Sequence, residues 1–187
     1  MGDKLVYTRL HIYDTSDWIG RRQYEGGDDD TYSIGISDGV AQFKSAMDNL
    51  LVSGKIFQNC VFTTHGNEGA IFFNHQQITA YELYKNFNAP HYEKLFPFKD
   101  VKVYFDGCNV ASGDDGWKFL EAAGRTFLRY GGGHAMGWTS AGLGLPSVIP
   151  WVGGHTEHLW GHVRGVYVFP DDSDGSLYLR RWGEGAD

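Results

Sequence analysis

What the chain has little of narrows its reading first. Two cysteines, Cys60 and Cys108, are too few for a disulfide framework, so the fold must stand on its own core. No apolar run approaches the ~20 residues of a membrane span, and residues 1–5 lack the pattern of a secretory signal. The compartment is left open, with the cytoplasm as the default and no membrane partner expected. Positive charge is scarce as well: 16 Lys and Arg stand against 23 Asp and Glu, and the net charge of -7 disfavours a nucleic-acid backbone as partner. No long polar tract and no internal repeat interrupts the chain. With 42% hydrophobic and 16% aromatic residues, it is expected to fold as one globular domain over residues 1–187.

The 26 glycines imply many tight turns, and between them strand and helix patterns alternate. Residues 5–13 alternate as a first strand. The polar stretch 14–30 reads as a surface loop, because its run Asp28-Asp29-Asp30 is contiguous where a calcium loop needs alternating ligands. Asp38 is placed to cap a helix to about Ser53, with Val40, Phe43, Met47, Leu50 and Leu51 at helical spacing and Gly54 as the stop. Residues 56–64 form an apolar strand ending in His65-Gly66, and Asn67-Glu68-Gly69 turns into the apolar run 70–73. Thr79 and Glu82 have the spacing of a capping box for a helix toward Phe87, after which Pro90 and Pro97 punctuate a link.

Val101, Val103 and Phe105 alternate with Lys102 and Tyr104 in a strand that stops at Asp106-Gly107-Cys108. Ser112, Gly113 and Asp114 then offer caps for a helix carrying Trp117, Leu120, Phe127 and Leu128. Gly131 to Gly133 read as a flexible joint, and residues 135–140, with Trp138, as another core strand. The stretch 142–154 is apolar, rich in glycine and proline, and contains Trp151, which suits a loop over a site or a buried connection. Residues 163–170 and 177–182 form a closing hairpin. This order predicts an α/β fold: a mainly parallel sheet with helices on both faces.

Two predicted strands end in chemically useful groups, His65 and Cys108, and in a parallel sheet both ends fall on one edge. An imidazole beside a thiol accepts its proton or pairs with the thiolate, the reactive form that is scarce at neutral pH without help. The N–H groups of Gly66 and Cys108 are candidates to hold the oxyanion of a tetrahedral intermediate. Cys60 lies inside its strand and reads as core. A second cluster, His155, His158 and His162, has a spacing that three zinc ligands on one helix face require, although its order matches no metalloprotease motif.

At Cys60-Val-Phe-Thr-Thr-His65-Gly66 and Val101-Lys-Val-Tyr-Phe-Asp-Gly-Cys108 the sequence resembles the caspase-like cysteine peptidases, the group of caspases, metacaspases, clostripain and gingipains. Gly107-Cys-Asn-Val-Ala-Ser-Gly113, with Gly116 and Phe119, looks closer still to uncharacterised bacterial caspase-like domains of large surface proteins. The likeness covers residues 56 to 140. It implies a three-layer α/β/α fold, a Cys108–His65 dyad, a peptide or protein substrate and no cofactor or metal. In the metacaspase and clostripain-like branches an Asp two residues before the cysteine helps form a pocket for a basic residue, which here points to Asp106, with Trp138 or the 142–154 loop as apolar walls. The chain departs from the caspase Gln-Ala-Cys and the metacaspase Cys-His-Ser-Gly patterns, so self-processing and substrate rules do not carry over. An inactive caspase-like interaction module and a metal-dependent hydrolase using the histidine cluster remain as alternatives.

Overall fold

A computed structural model describes residues 5–16, 30–87, 91–140, 161–171 and 176–186. Among these described residues, ten strands and three helices follow one another: β1 (Leu5–Asp14), β2 (Thr31–Ile36), α1 (Gly39–Ser53), β3 (Lys55–Thr63), β4 (His65–Asn67), β5 (Ala70–Phe73), β6 (Gln76–Thr79), α2 (Ala80–Glu82), β7 (Val101–Asp106), α3 (Gly113–Phe127), β8 (Gly133–Trp138), β9 (Val163–Pro170) and β10 (Leu177–Trp182). α2 continues as a wider π turn over Leu83–Phe87, and a 3-10 turn covers Tyr92–Leu95. Among the described residues, no helix is long and apolar enough to cross a membrane.

Seven strands make one sheet in the order β10-β9-β8-β7-β3-β1-β2. The pairings of β2, β1, β3, β7 and β8 are all parallel, while β9 and β10 fold back as the antiparallel hairpin expected from the sequence. β4, β5 and β6 form a small antiparallel meander apart from it.

Aromatic packing fixes where the helices lie. The Phe62 ring on β3 stacks on Phe105 of β7, with centroids 4.9 Å apart, and also meets Phe43 of α1 at 5.9 Å and Phe127 of α3 at 5.8 Å. One side chain leaves a strand on one face only, so α1 and α3 cover the same face of the sheet. Leu10, Ile12, Cys60, Val103, Ala135 and Val166 are buried on that face. Each large side chain removed from water there contributes about 1.5–3 kcal/mol. The opposite face carries His11, Tyr13, Thr63 and Tyr104, and among the described residues no helix covers it. The described helices α1 and α3 thus meet the expectation of helices on both faces for one face, while residues 17–29 and 141–160 lie outside the described residues.

Several local expectations change. The strands β2 and β6 were not foreseen. The helix α1 begins after Asp38, yet the Asp38 side chain caps nothing. Instead Gln42 Oε1 accepts the Ser37 and Asp38 N–H groups, and Gln76 Oε1 accepts that of Val40. Gly54 does end the helix in the left-handed conformation, at φ 72°. The capping box of Thr79 and Glu82 forms as expected. Gly131 to Gly133 are a tight crossing and not a flexible joint: a Cβ on Gly131 would fall 2.6 Å from the Phe98 carbonyl carbon, and one on Gly133 would fall 2.6 Å from Val101 N. The strand after them runs Gly133–Trp138, two residues earlier than the pattern 135–140. Most of the stretch 14–30, the loop 142–154 with Trp151, and His155 and His158 lie outside the described residues.

Candidate active site

β3 and β7 are parallel neighbours that run level, Thr63 opposite Asp106, so whatever follows them emerges side by side at the carboxyl edge. After β3 the chain bends at Thr64, whose hydroxyl donates to the His65 carbonyl (2.9 Å), and enters the meander with His65 opposite Phe72 and Gly66 opposite Ile71. After β7 it turns through Gly107 and Cys108. The two bends meet. A Cβ built on Gly66 would lie 2.6 Å from the Cys108 carbonyl oxygen and 3.0 Å from its nitrogen, and one on Gly107 would lie 3.1 Å from the Thr64 carbonyl oxygen. His65-Gly66 and Gly107-Cys108 can approach this closely because both glycines lack a side chain.

The Cys108 turn is held from several directions. Asn109, directly after the cysteine, takes the left-handed conformation at φ 56°, which asparagine tolerates better than most residues. Its N–H donates to the Ser140 carbonyl (2.8 Å), and the Ala111 N–H donates to that of Trp138 (2.9 Å), so the turn is tied to the end of β8. From the other side Gly69 N–H donates to the Val110 carbonyl (3.2 Å), tying it to the meander. Glu68 places its carboxylate against Gly113 at the first turn of α3, where a negative charge is favoured by the helix dipole.

The residues singled out from the sequence collect at this edge. Cys108 is half-buried and His65 exposed, as access for a substrate requires. Asp106 is 3% exposed. Phe105 pairs with Gly137, so Asp106 and Trp138 follow side by side at the ends of β7 and β8, and Trp138 is half-buried. Cys60 is fully enclosed, and burial pushes its thiol well above the ordinary range, in keeping with a core role. His162 is exposed, with Nε2 3.7 Å from Glu184 Oε2. Among the described residues no group of three or more His, Cys, Asp or Glu side chains could hold a metal ion.

Sequence reasoning missed Asp14. It ends β1, is 4% exposed, and its carboxylate accepts the N–H groups of Ser16 (2.9 Å) and Asn74 (3.3 Å). Together with Ser16, His65, Gly66, Asn67, Phe72 and His75 it lines an open cavity of about 320 Å³. The strand order turns outward from β1 to β2 on one side and to β3 on the other, so this cavity sits where the chain path reverses, the crevice in which open α/β sheets hold ligands. The rule that singled out His65 and Cys108, a polar residue at the end of an apolar strand, applies equally to Asp14. Chemically, the edge offers a thiol, an imidazole, two adjoining backbone N–H groups and two buried carboxylates.

The sequence matches no protein-family model and no curated protein, so the likeness to caspase-like peptidases rests on the residues themselves.

Proposed function

We propose that this chain is a cysteine endopeptidase of caspase-like fold that cleaves after Arg or Lys. The observation that carries the reading is the contact of His65-Gly66 with Gly107-Cys108 at the ends of two adjacent parallel strands. Cys108 Sγ, deprotonated with the help of His65, attacks the carbonyl carbon of the scissile bond. The oxyanion that forms is held by the N–H groups of Gly66 and Cys108, where one well-aimed donor contributes about 3 kcal/mol. The C–N bond then breaks, His65 passes its proton to the departing amine, and water hydrolyses the thioester to free the acid and restore the thiol.

The preference for a basic residue is supported by Asp106, a carboxylate almost fully withdrawn from water two residues before the nucleophile. A guanidinium or ammonium gains more from such a group than a neutral side chain does, and the apolar stem of Arg or Lys suits an aromatic wall such as Trp138. Asp14, buried in the cavity beside His65, adds negative charge to the same edge. The mainly parallel sheet and C-terminal hairpin agree with the fold the resemblance implies. A fluorogenic peptide panel varied at the residue before the cleaved bond, with Cys108→Ala as control, tests the reading. Cleavage of Arg or Lys peptides that vanishes in the control is the expected result. A wild type that cleaves nothing and whose Cys108 resists thiol reagents would point instead to an inactive interaction module.

A further inference from the structure

The turn that carries Cys108 must hold one shape without regular secondary structure of its own. Its last residue, Ala111, is fully buried, so both backbone polar groups there need partners. The N–H donates to the Trp138 carbonyl (2.9 Å), and the carbonyl accepts Nη1 of Arg164 (3.3 Å). Arg164 lies near the start of β9, outside every motif singled out in the sequence. Its guanidinium lies 5.1 Å from the ring of Trp117 in α3. That ring is 4% exposed, so the cation is held against an apolar wall, where its bond to a carbonyl is strengthened.

We infer that Arg164 is a positioning residue for Cys108, locking the far end of the 108–111 turn through the Ala111 carbonyl while Trp117 fixes its guanidinium. This rests on the reading of Cys108 as the nucleophile. Without the bond, the buried Ala111 carbonyl loses its partner, and the turn relaxes away from Gly66, the side on which the oxyanion would form. The hairpin supplies its own control. Arg181 lies 5.2 Å from the same Trp117 ring, but its side chain pairs with Glu121 at 2.9 Å and so engages α3 instead of the turn.

The test compares Arg164→Met, Arg164→Lys and Arg181→Met with the wild type. It measures kcat and KM on the best panel peptide, the rate of Cys108 alkylation by iodoacetamide from neutral to alkaline pH, and Tm. Arg164→Met is expected to lower kcat by ~10- to 100-fold with KM nearly unchanged, the cost of a small misplacement of a reacting group. It should also shift the pH profile of alkylation. Arg164→Lys should recover part of both, and Arg181→Met should lower Tm while leaving kcat and alkylation near wild type. Equal losses of kcat in Arg164→Met and Arg181→Met would reduce Arg164 to packing and overturn the inference, as would a rise in KM alone. If the wild type cleaves no peptide, the peptidase reading fails by itself. The alkylation profile then still decides for Arg164: a shift in Arg164→Met but not in Arg181→Met upholds its hold on Cys108, and no shift refutes it.

Discussion

Gly66 and Cys108 touch through their backbones: a methyl group on Gly66 would sit 2.6 Å from the Cys108 carbonyl oxygen and 2.5 Å from Val110 Cγ2. A side-chain tip can move aside, but a carbonyl on a turn pinned at both ends cannot. Gly66→Ala is therefore expected to cost about 1–3 kcal/mol of stability through overpacking and to abolish most turnover. Adding Val110→Ala should not restore it, because the clash with Cys108 remains. Urea midpoints and kcat/KM check this, and full activity in either variant would contradict the geometry.

The two cysteines should behave oppositely. Cys108→Ala and His65→Ala are expected to remove nearly all turnover while leaving thermal unfolding close to wild type. Cys60→Ala empties a small core volume, costing about 1–2 kcal/mol, and should leave kcat intact. In the native protein, mass spectrometry after brief alkylation should find the label on Cys108 and none on the enclosed Cys60. Label on Cys60 alone would reverse the assignment.

Asp106→Asn should weaken turnover of Arg and Lys peptides by ~10- to 100-fold, the scale of one charge-assisted hydrogen bond, with a much smaller effect on Tm. Asp14→Asn should act differently. Its carboxylate accepts two backbone N–H groups, from Ser16 and from Asn74, and the latter belongs to a turn with two left-handed residues, Asn74 and His75. Loss of stability should accompany any loss of activity there. A panel in which Asp106→Asn changes no preference would remove Asp106 from the pocket.

His11 gives the fold a defined pH response. Burial on the sheet face opposite α1 and α3, reinforced by the charge of Arg9, lowers its pKa from 6.5 to about 4. The folded state thus resists a proton that the unfolded chain accepts near 6.5. The associated stability is fully present above about 6.5, and it is lost as pH falls from there toward about 4. The total is on the order of 3 kcal/mol. Urea midpoints measured across that window should fall with pH in the wild type and fall less in His11→Gln, which can keep a hydrogen bond to Thr63 Oγ1 (3.1 Å in the parent). Parallel slopes in the two proteins would assign the acid sensitivity elsewhere.

The strands that bury apolar side chains at a regular period were legible in the sequence, and β9 and β10 agree with the expected hairpin at both ends. β2 was not, because Thr31–Ile36 is an edge strand of mostly half-buried residues, with only Ser33 exposed and only Ile36 fully buried. β6 was hidden for a related reason: two of its four residues, Gln76 and Gln77, face solvent, and only Ile78 reaches the core. The positions of His65, Cys108 and Asp106 at strand ends could be read because a polar residue stops an apolar run. The contacts made by Gly66, Asp14 and Arg164 could not, since each depends on segments tens of residues away. Periodicity separates the two faces of a strand, but it does not say which face a helix will choose, and so the one-sided placement of α1 and α3 had to come from Phe62.

The strands leading to His65 and Cys108, β3 and β7, lie in the interior of the seven-stranded sheet, each bonded on both sides. Amide hydrogens in such strands exchange only when the whole domain opens, whereas edge strands such as β2 and β10 can fray at little cost. The thiol and the imidazole thus directly follow strands expected to open only with the whole domain. Thermal loss of their juxtaposition should coincide with global unfolding instead of preceding it.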